Sequence, residues 1–278
     1  MRALTIARFT VAEAVKRRLV VTGTLVSALF AALFIAGFSL LDARGDGPAE
    51  TALSAFGSTL LTVFGLYSVY FLAGLLAVLL GVGAVSGEID AGTLHAVLAR
   101  PLRRRDYLVG RWLGLTAILA LYVTFMAGGL LLAAHLIAGY TALNPLMAIG
   151  LLAVQAAAML SLALLGSTVL PTLANGVVVL SLFGLAWLGG IIATVGRALD
   201  NAAMTTLATA VGVAVPSDMV WRAASYFAQS PLLLAAGDVP GIPFASSHPP
   251  SAALVAWGVA YPAVVLGLAA LAFARRDL

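Results

Sequence analysis

Side chains that ionise, attack or ligate are scarce in this chain. Its 278 residues hold three histidines, one lysine and no cysteine. His95, His135 and His248 form no H-x-x-x-H or H-E-x-x-H, so no metal-ligand spacing is present. Lys16, the one lysine, stands outside any G-x-x-x-x-G-K-[ST] loop, which removes the usual ATP site and any Schiff-base lysine elsewhere. A serine–histidine pair would need His135 with Ser161, Ser167 or Ser181, yet small hydroxyls in apolar helices mostly bond to backbone or pack. No catalytic residue, metal site or cofactor is expected within this chain. Without cysteine, disulfides and thiol chemistry are excluded too. The charged chemistry gathers instead in residues 86–111, SGEIDAGTLHAVLARPLRRRDYLVGR.

That island has internal order. Gly83 and Gly87 let the chain leave an apolar run without steric penalty, and Asp90 suits the N-cap of a short helix with Thr93 in its first turn. Leu94, Val97 and Leu98 follow at i, i+3 and i+4 as a narrow apolar stripe, and Pro101 stops the helix. Arg103, Arg104 and Arg105 mark a membrane boundary, Asp106 can cap the next span, and Trp112 suits an interface. A plain hairpin between two spans accounts for the arginines. It does not account for the stripe or the Glu88–Asp90 pair, which suit docking into a groove on a cytoplasmic partner.

The elements that hold this loop follow from composition. Hydrophobic residues make up 62% and charged residues 9%, where a soluble domain carries roughly 25% charge. Mean hydropathy is +1.09. The chain therefore reads as one all-α membrane domain over 1–278. Six stretches reach the length of a span: about 19–41, 58–85, 112–138, 145–170, 174–196 and 251–274, none with Asp, Glu, Lys or Arg. Residues 202–215 are too short and are expected to be interfacial or re-entrant. With a cytoplasmic N-terminus, Arg2, Arg8, Lys16, Arg17, Arg18, Arg100, Arg103, Arg104, Arg105, Arg111, Arg275 and Arg276 share one side, and only Arg44, Arg197 and Arg222 the other. The positive-inside rule then puts both termini and 86–111 inside, with 42–57 and 197–250 outside. The pI near 9.8 reflects these flanks, so nucleic acid is not an expected partner. Residues 2–18 read as a surface helix and not a cleavable signal. Leu4, Ala7, Val11 and Val15 share one face, opposite Arg2, Glu13, Lys16 and Arg17, while Ile6 and Phe9 fall off the stripe.

Gly87-Glu88-Ile89-Asp90-Ala91-Gly92-Thr93-Leu94, then Leu98-Ala99-Arg100-Pro101, Arg104 and Gly110-Arg111, resembles the GE-x-x-x-GTL…LxxP-xxR-xxxxGK/R pattern of type-2 ABC exporter permeases. The nearest flavour is the stand-alone bacterial permease similar to the copper-enzyme maturation permease. His95 departs from the pattern, which touches only fine docking chemistry. The resemblance implies a bacterial or archaeal inner-membrane permease subunit of an ATP-driven exporter, paired with a second permease copy or a homologue. It implies that 86–111 forms a coupling helix on a separate ABC ATPase subunit, which binds the ATP and Mg. Carried over, Glu88, Gly92, Thr93 and Leu94 lie at or near that contact, beside Arg100 to Arg105.

A substrate path is less visible. Tyr67, Tyr70, Gln155 and Asn175 are candidate lining groups, and each equally suits an interhelical hydrogen bond or an interfacial anchor. An uncharged lining favours amphiphiles, drugs or lipids over ions. The outer segment 197–250, with Trp221, Tyr226 and a proline-rich stretch, is either an exit gate or simple packing over span ends. Two readings compete: an ATP-independent scaffold or assembly factor using the same loop, and a secondary transporter. The second lacks intramembrane carboxylates to carry a coupling ion.

Overall fold

The computed structural model describes residues 2–275 apart from 16–17, 43–47, 91, 93–103, 232–233 and 235–243. The described residues include no strand. Ten helices follow one another among the described residues: α1 (Arg2–Val15), α2 (Arg18–Asp42), α3 (Pro48–Gly81), α4 (Ser86–Asp90), α5 (Arg104–Ala138), α6 (Pro145–Val169), α7 (Thr172–Ala198), α8 (Ala202–Ala214), α9 (Ser217–Ala228) and α10 (Ala252–Arg275). Five described segments are long and apolar enough to cross a membrane: Phe56–Ile89, Arg104–Ala138, Pro145–Val169, Thr172–Ala198 and Ala252–Arg275. In α2, 25 residues long, the apolar stretch counted among the described residues is Leu25–Leu40, shorter than a span.

The core is built around α6, which touches α3, α5, α7, α9 and α10. Its inward residues are mostly small: Ala148, Ala156, Ala157, Ala158 and Ala163 are buried. Lipid supplies no hydrophobic drive between helices, so close van der Waals approach through small side chains must do it. The start of α6 is fixed by Asn144, whose Oδ1 accepts from Met147 N at 3.0 Å, with Pro145 in its first turn. The large apolar side chains that α6 and α7 leave outside, such as Leu146 at 81% exposure and Leu173 at 83%, suit lipid, not water.

Helices α8 and α9 form a bent pair, 97° apart. Asp200, at φ +48°, turns the chain out of α7. Helix α8 then runs back along α7 so closely that a Cβ on Gly196 would lie 2.8 Å from Met204 Cβ, and one on Gly189 2.8 Å from Val211 Cγ1. Helix α9 finishes beside the start of α6, where Leu143 N donates to Gln229 O and Asn144 N to Phe227 O, both at 2.9 Å. Since α6 and α7 are joined at their far ends by Leu170 and Pro171 alone, the start of α6 and the end of α7 lie together. The pair thus leaves and returns at one end of the bundle, as a re-entrant hairpin does.

The long helices run past the expected apolar spans. The one that carries most of 58–85 begins at Pro48 and ends at Gly81, with the five-residue hook α4 after it. The one that carries 112–138 begins at Arg104, so Arg104, Arg105, Asp106 and Arg111 are helical and Asp106 sits inside the first turn. Amphipathic flanks can extend a span's helix past its apolar stretch in this way. On α1, Ala7 of the expected apolar face is buried together with Thr10, and Ile6 packs on the core, while Leu4 is 66% exposed. What selects this face is Gly114, against which a Cβ would lie 2.8 Å from Ala7 O and 2.9 Å from Thr10 Cβ.

Gly114→Ala is expected to lift α1 from α5 at a cost of about 1–3 kcal/mol. Amide hydrogen exchange in detergent checks this: protection should fall across residues 4–13 while the α6–α7 core stays protected.

Candidate functional site

Glycine starts the hook. A Cβ on Gly81 would lie 2.6 Å from Ala163 Cβ, so α3 meets α6 at this level and its helix stops there. The amides released by the break are taken up by α6: Ser167 Oγ accepts from Val85 N at 2.9 Å and Ser86 N at 3.0 Å. Ser86 Oγ lies 2.8 Å from Thr172 Oγ1 on α7. Asn175 Nδ2, also on α7, donates to Val82 O at 3.0 Å and Ala163 O at 2.8 Å. The hook is thereby bound to the joint of α6 and α7.

Its acid turns inward. Glu88 meets Arg111 Nη1 at 2.6 Å and accepts from the Tyr107 hydroxyl, both on α5. The same Arg111 Nη1 lies 3.2 Å from Glu13 Oε2 on α1. Exposure rises from 8% for the Arg111 side chain to 20% for Glu88 and 47% for Glu13, so the guanidinium is the buried centre and the carboxylates face water in part. One buried cation with two acids is a stable arrangement, because a charge left alone there would be costly. Arg104 Nη1 donates to Phe273 O at 3.1 Å and its guanidinium stands 5.7 Å from that ring's centre, bringing the end of α10 to the same place. Arg104, Arg111 and Arg275 mark this basic end of the bundle, and Arg197 and Arg222 the opposite end.

The predicted docking residues divide accordingly. Gly87 and Glu88 lie on the hook, Asp90 is its last residue, and Gly92 is exposed at φ +69° with open space where a Cβ would stand. Arg104 opens α5. Thr93, Leu94, His95, Val97, Leu98, Arg100, Pro101 and Arg103 lie outside the described residues.

Of the four predicted lining residues, three converge. Tyr67 and Tyr70 stack at 5.5 Å, and Tyr70 packs on Phe183 of α7 and Trp221 of α9 at 5.5 and 5.4 Å. Gln155 joins them through Gly74, where a Cβ would lie 2.8 Å from Phe183 Cζ and 3.1 Å from Gln155 Nε2. Tyr70 and Gln155 are wholly buried, and among the described residues the Tyr70 hydroxyl and both Gln155 amide atoms have no hydrogen-bond partner within 3.5 Å. Asn175 is elsewhere, spent on the hook.

Sequence reasoning passed over the residues that do most of the fastening. Ser167 enters the sequence reading only as a nucleophile, Arg111 as a boundary charge and the last position of the family pattern, and Tyr107 not at all. Asp218 and Arg222 were also missed, although their i, i+4 spacing was visible; Arg222 Nε donates to Asp218 Oδ2 at 2.7 Å and Arg222 Nη2 to Gly190 O at 2.7 Å. His135 is accounted for locally, its Nδ1 lying 3.1 Å from Tyr140 O.

Comparison with known proteins follows this geometry. The family model described as "ABC-2 family transporter protein" matches residues 4–278. The chain is also similar to a protein of Stutzerimonas stutzeri, the "Probable ABC transporter permease protein NosY", at 36% identity over 98 residues. That alignment takes in 35% of this chain and 34% of the relative, so the chain spans about a third of the relative's length.

Ser167→Ala leaves two buried amides without their acceptor and is expected to cost about 1–3 kcal/mol. A lower thermal midpoint in detergent, with faster exchange confined to the amides of 85 and 86, is the result to look for; unchanged exchange there would contradict the role given to Ser167.

Proposed function

The chain belongs to the ABC-2 family of transporter proteins, and from that premise we propose that it is the membrane permease subunit of an ABC exporter whose ATPase is a separate chain. In this reading residues 1–278 form one transmembrane domain in the cytoplasmic membrane, with both termini and the basic end inside. The clustering of Arg104, Arg111 and Arg275 at one end supports that orientation under the positive-inside rule. Two permease copies, or this chain and a homologue, sit on two ATPase subunits that bind ATP and Mg. The chain performs no covalent chemistry itself.

The loop that begins with α4 is the docking element, with Leu94, Val97 and Leu98 as its apolar contact and Arg100 to Arg104 beside it. The observation that carries the proposal is the fastening of α4. A push on this hook reaches α5 and α1 through Arg111, and the α6–α7 joint through Ser167 and Thr172. A coupling element needs this property, since force from an ATPase must move several spans together. A solvated connector would leave Glu88 in water. The substrate moves outward along a path near Tyr67, Tyr70 and Gln155, and the uncharged aromatic lining favours an amphiphile.

The test uses the permease reconstituted with its ATPase. Leu94→Arg should abolish copurification of the ATPase. Arg111→Met should leave copurification intact while transport per ATP falls at least about fivefold, the low end of an allosteric coupling energy. Tyr107→Phe, which keeps the ion pair and removes the hydroxyl's bonds to Glu88 and Ala84 O, guards against misfolding and should give a smaller loss in the same direction. If no ATPase accompanies the wild-type chain from native membranes, or both variants stay fully coupled, the reading fails.

A further inference from the structure

A groove of about 400 Å³ lies at the end of the bundle opposite the hook, between the last turns of α5 and the first turns of α6. Gly128, Leu131, Leu132 and His135 form its α5 wall at i, i+3, i+4 and i+7, a single stripe of the helix. Pro145 and Ile149 form the α6 wall, and Thr141 stands at the end, in the link between the two helices. Gly128 makes the deep part: a Cβ there would meet Ile149 Cδ1 at 3.7 Å, and a longer side chain would enter the groove. Leu132, Leu136 and Leu146 around it are exposed, as side chains facing lipid are, so the bilayer supplies its occupant. Polarity is graded along the stripe. From Gly128 to His135 is about 10 Å of helix, apolar at depth and polar where α5 ends. An amphiphile in a leaflet has the same gradient, tail inward and head at the boundary.

The histidine sets the class of head. Its Nδ1 lies 3.1 Å from Tyr140 O, and a carbonyl only accepts, so Nδ1 carries the hydrogen and the neutral ring presents Nε2 as an acceptor. The ring forms no other hydrogen bond among the described residues. An acceptor is complemented by a hydroxyl that donates, and not by an ionised carboxylate, whose oxygens only accept. Thr141 adds a hydroxyl that does either. We infer that this groove binds a bilayer amphiphile with an uncharged hydroxyl head, of the glycerol-ester kind. Its tail lies along Leu131, Leu132 and Ile149, and its hydroxyl donates to His135 Nε2. The site is remote from the ATPase-docking end and does not depend on the permease reading.

The full chain in phosphatidylcholine nanodiscs, without any ATPase, is labelled with monoolein carrying a diazirine in its tail, and the cross-links are mapped by peptide mass spectrometry. Saturable labelling is expected within residues 128–149, displaced by unlabelled monoolein and not by ionised oleate at the same concentration. His135→Asn keeps a donor for Tyr140 O and loses the Nε2 acceptor, so affinity should fall about two- to tenfold, the worth of one hydrogen bond. Gly128→Leu fills the deep part and should abolish labelling. Neither residue is in the buried core, and unchanged thermal midpoints verify folding. Labelling that does not saturate in 128–149, equal displacement by oleate, or labelling indifferent to both substitutions overturns the inference.

Discussion

Every break in a helix immersed in lipid releases amides and carbonyls that no water can satisfy, and the rest of this structure is arranged around that constraint. At 82–85 the freed amides go to Ser167 and a carbonyl to Asn175. Between α5 and α6, the Tyr140 hydroxyl donates to Ala228 O at 2.8 Å and the amides of Leu143 and Asn144 go to the end of α9. Where α8 turns into α9, the Tyr261 hydroxyl and Trp257 Nε1 of α10 donate to Ala214 O and Val213 O at 2.7 and 3.0 Å. Helix-to-helix polar contacts are thus concentrated where the backbone is interrupted. Between the breaks, alanine and glycine let the helices meet mainly by packing, with hydrogen bonds such as those of Ser27 with Tyr122 and Trp112 with Ser161 added.

That division explains what could be read from the sequence. Apolar length announced the long helices, because burial of the backbone in lipid leaves few other solutions. Helix ends were harder, since Arg104 to Arg111 are charged yet helical, and a charge is the usual sign that a span has stopped. Which residues of α1 meet the bundle was not legible for a related reason. Leu4 and Ala7 share the apolar face, but contact is decided by the notch at Gly114, which belongs to another helix. Glu88 was visible as an unexplained acid, whereas its partners Tyr107 and Arg111 are distant in the chain and meet it only in the fold. Ser167 carried no local signal, as one serine in an apolar helix looks like any other.

Charge is confined to the two ends, and it does different work at each. At the basic end one guanidinium gathers three segments that are far apart in sequence, α1, the hook and α5, into a single mechanical unit. At the other end Arg222 holds Asp218 within its own helix and reaches across to the backbone of Gly190, so the pair steadies the hairpin against α7. The middle is aromatic and uncharged. There Tyr70 and Gln155 keep buried polar atoms without partners among the described residues.

The two-residue joint of α6 and α7 bears on how the chain enters the bilayer during synthesis. Helix α6 carries no charge and one amide, Gln155, and α7 carries the Asn175 amide, expensive in hydrocarbon by itself. Its acceptor Ala163 lies only twelve residues back, across the joint. The two helices can therefore leave the translocation machinery as a closed hairpin, with the amide already bonded. The strongest-packed helix of the finished bundle would then be in place before α10 is made, ready as a template for it.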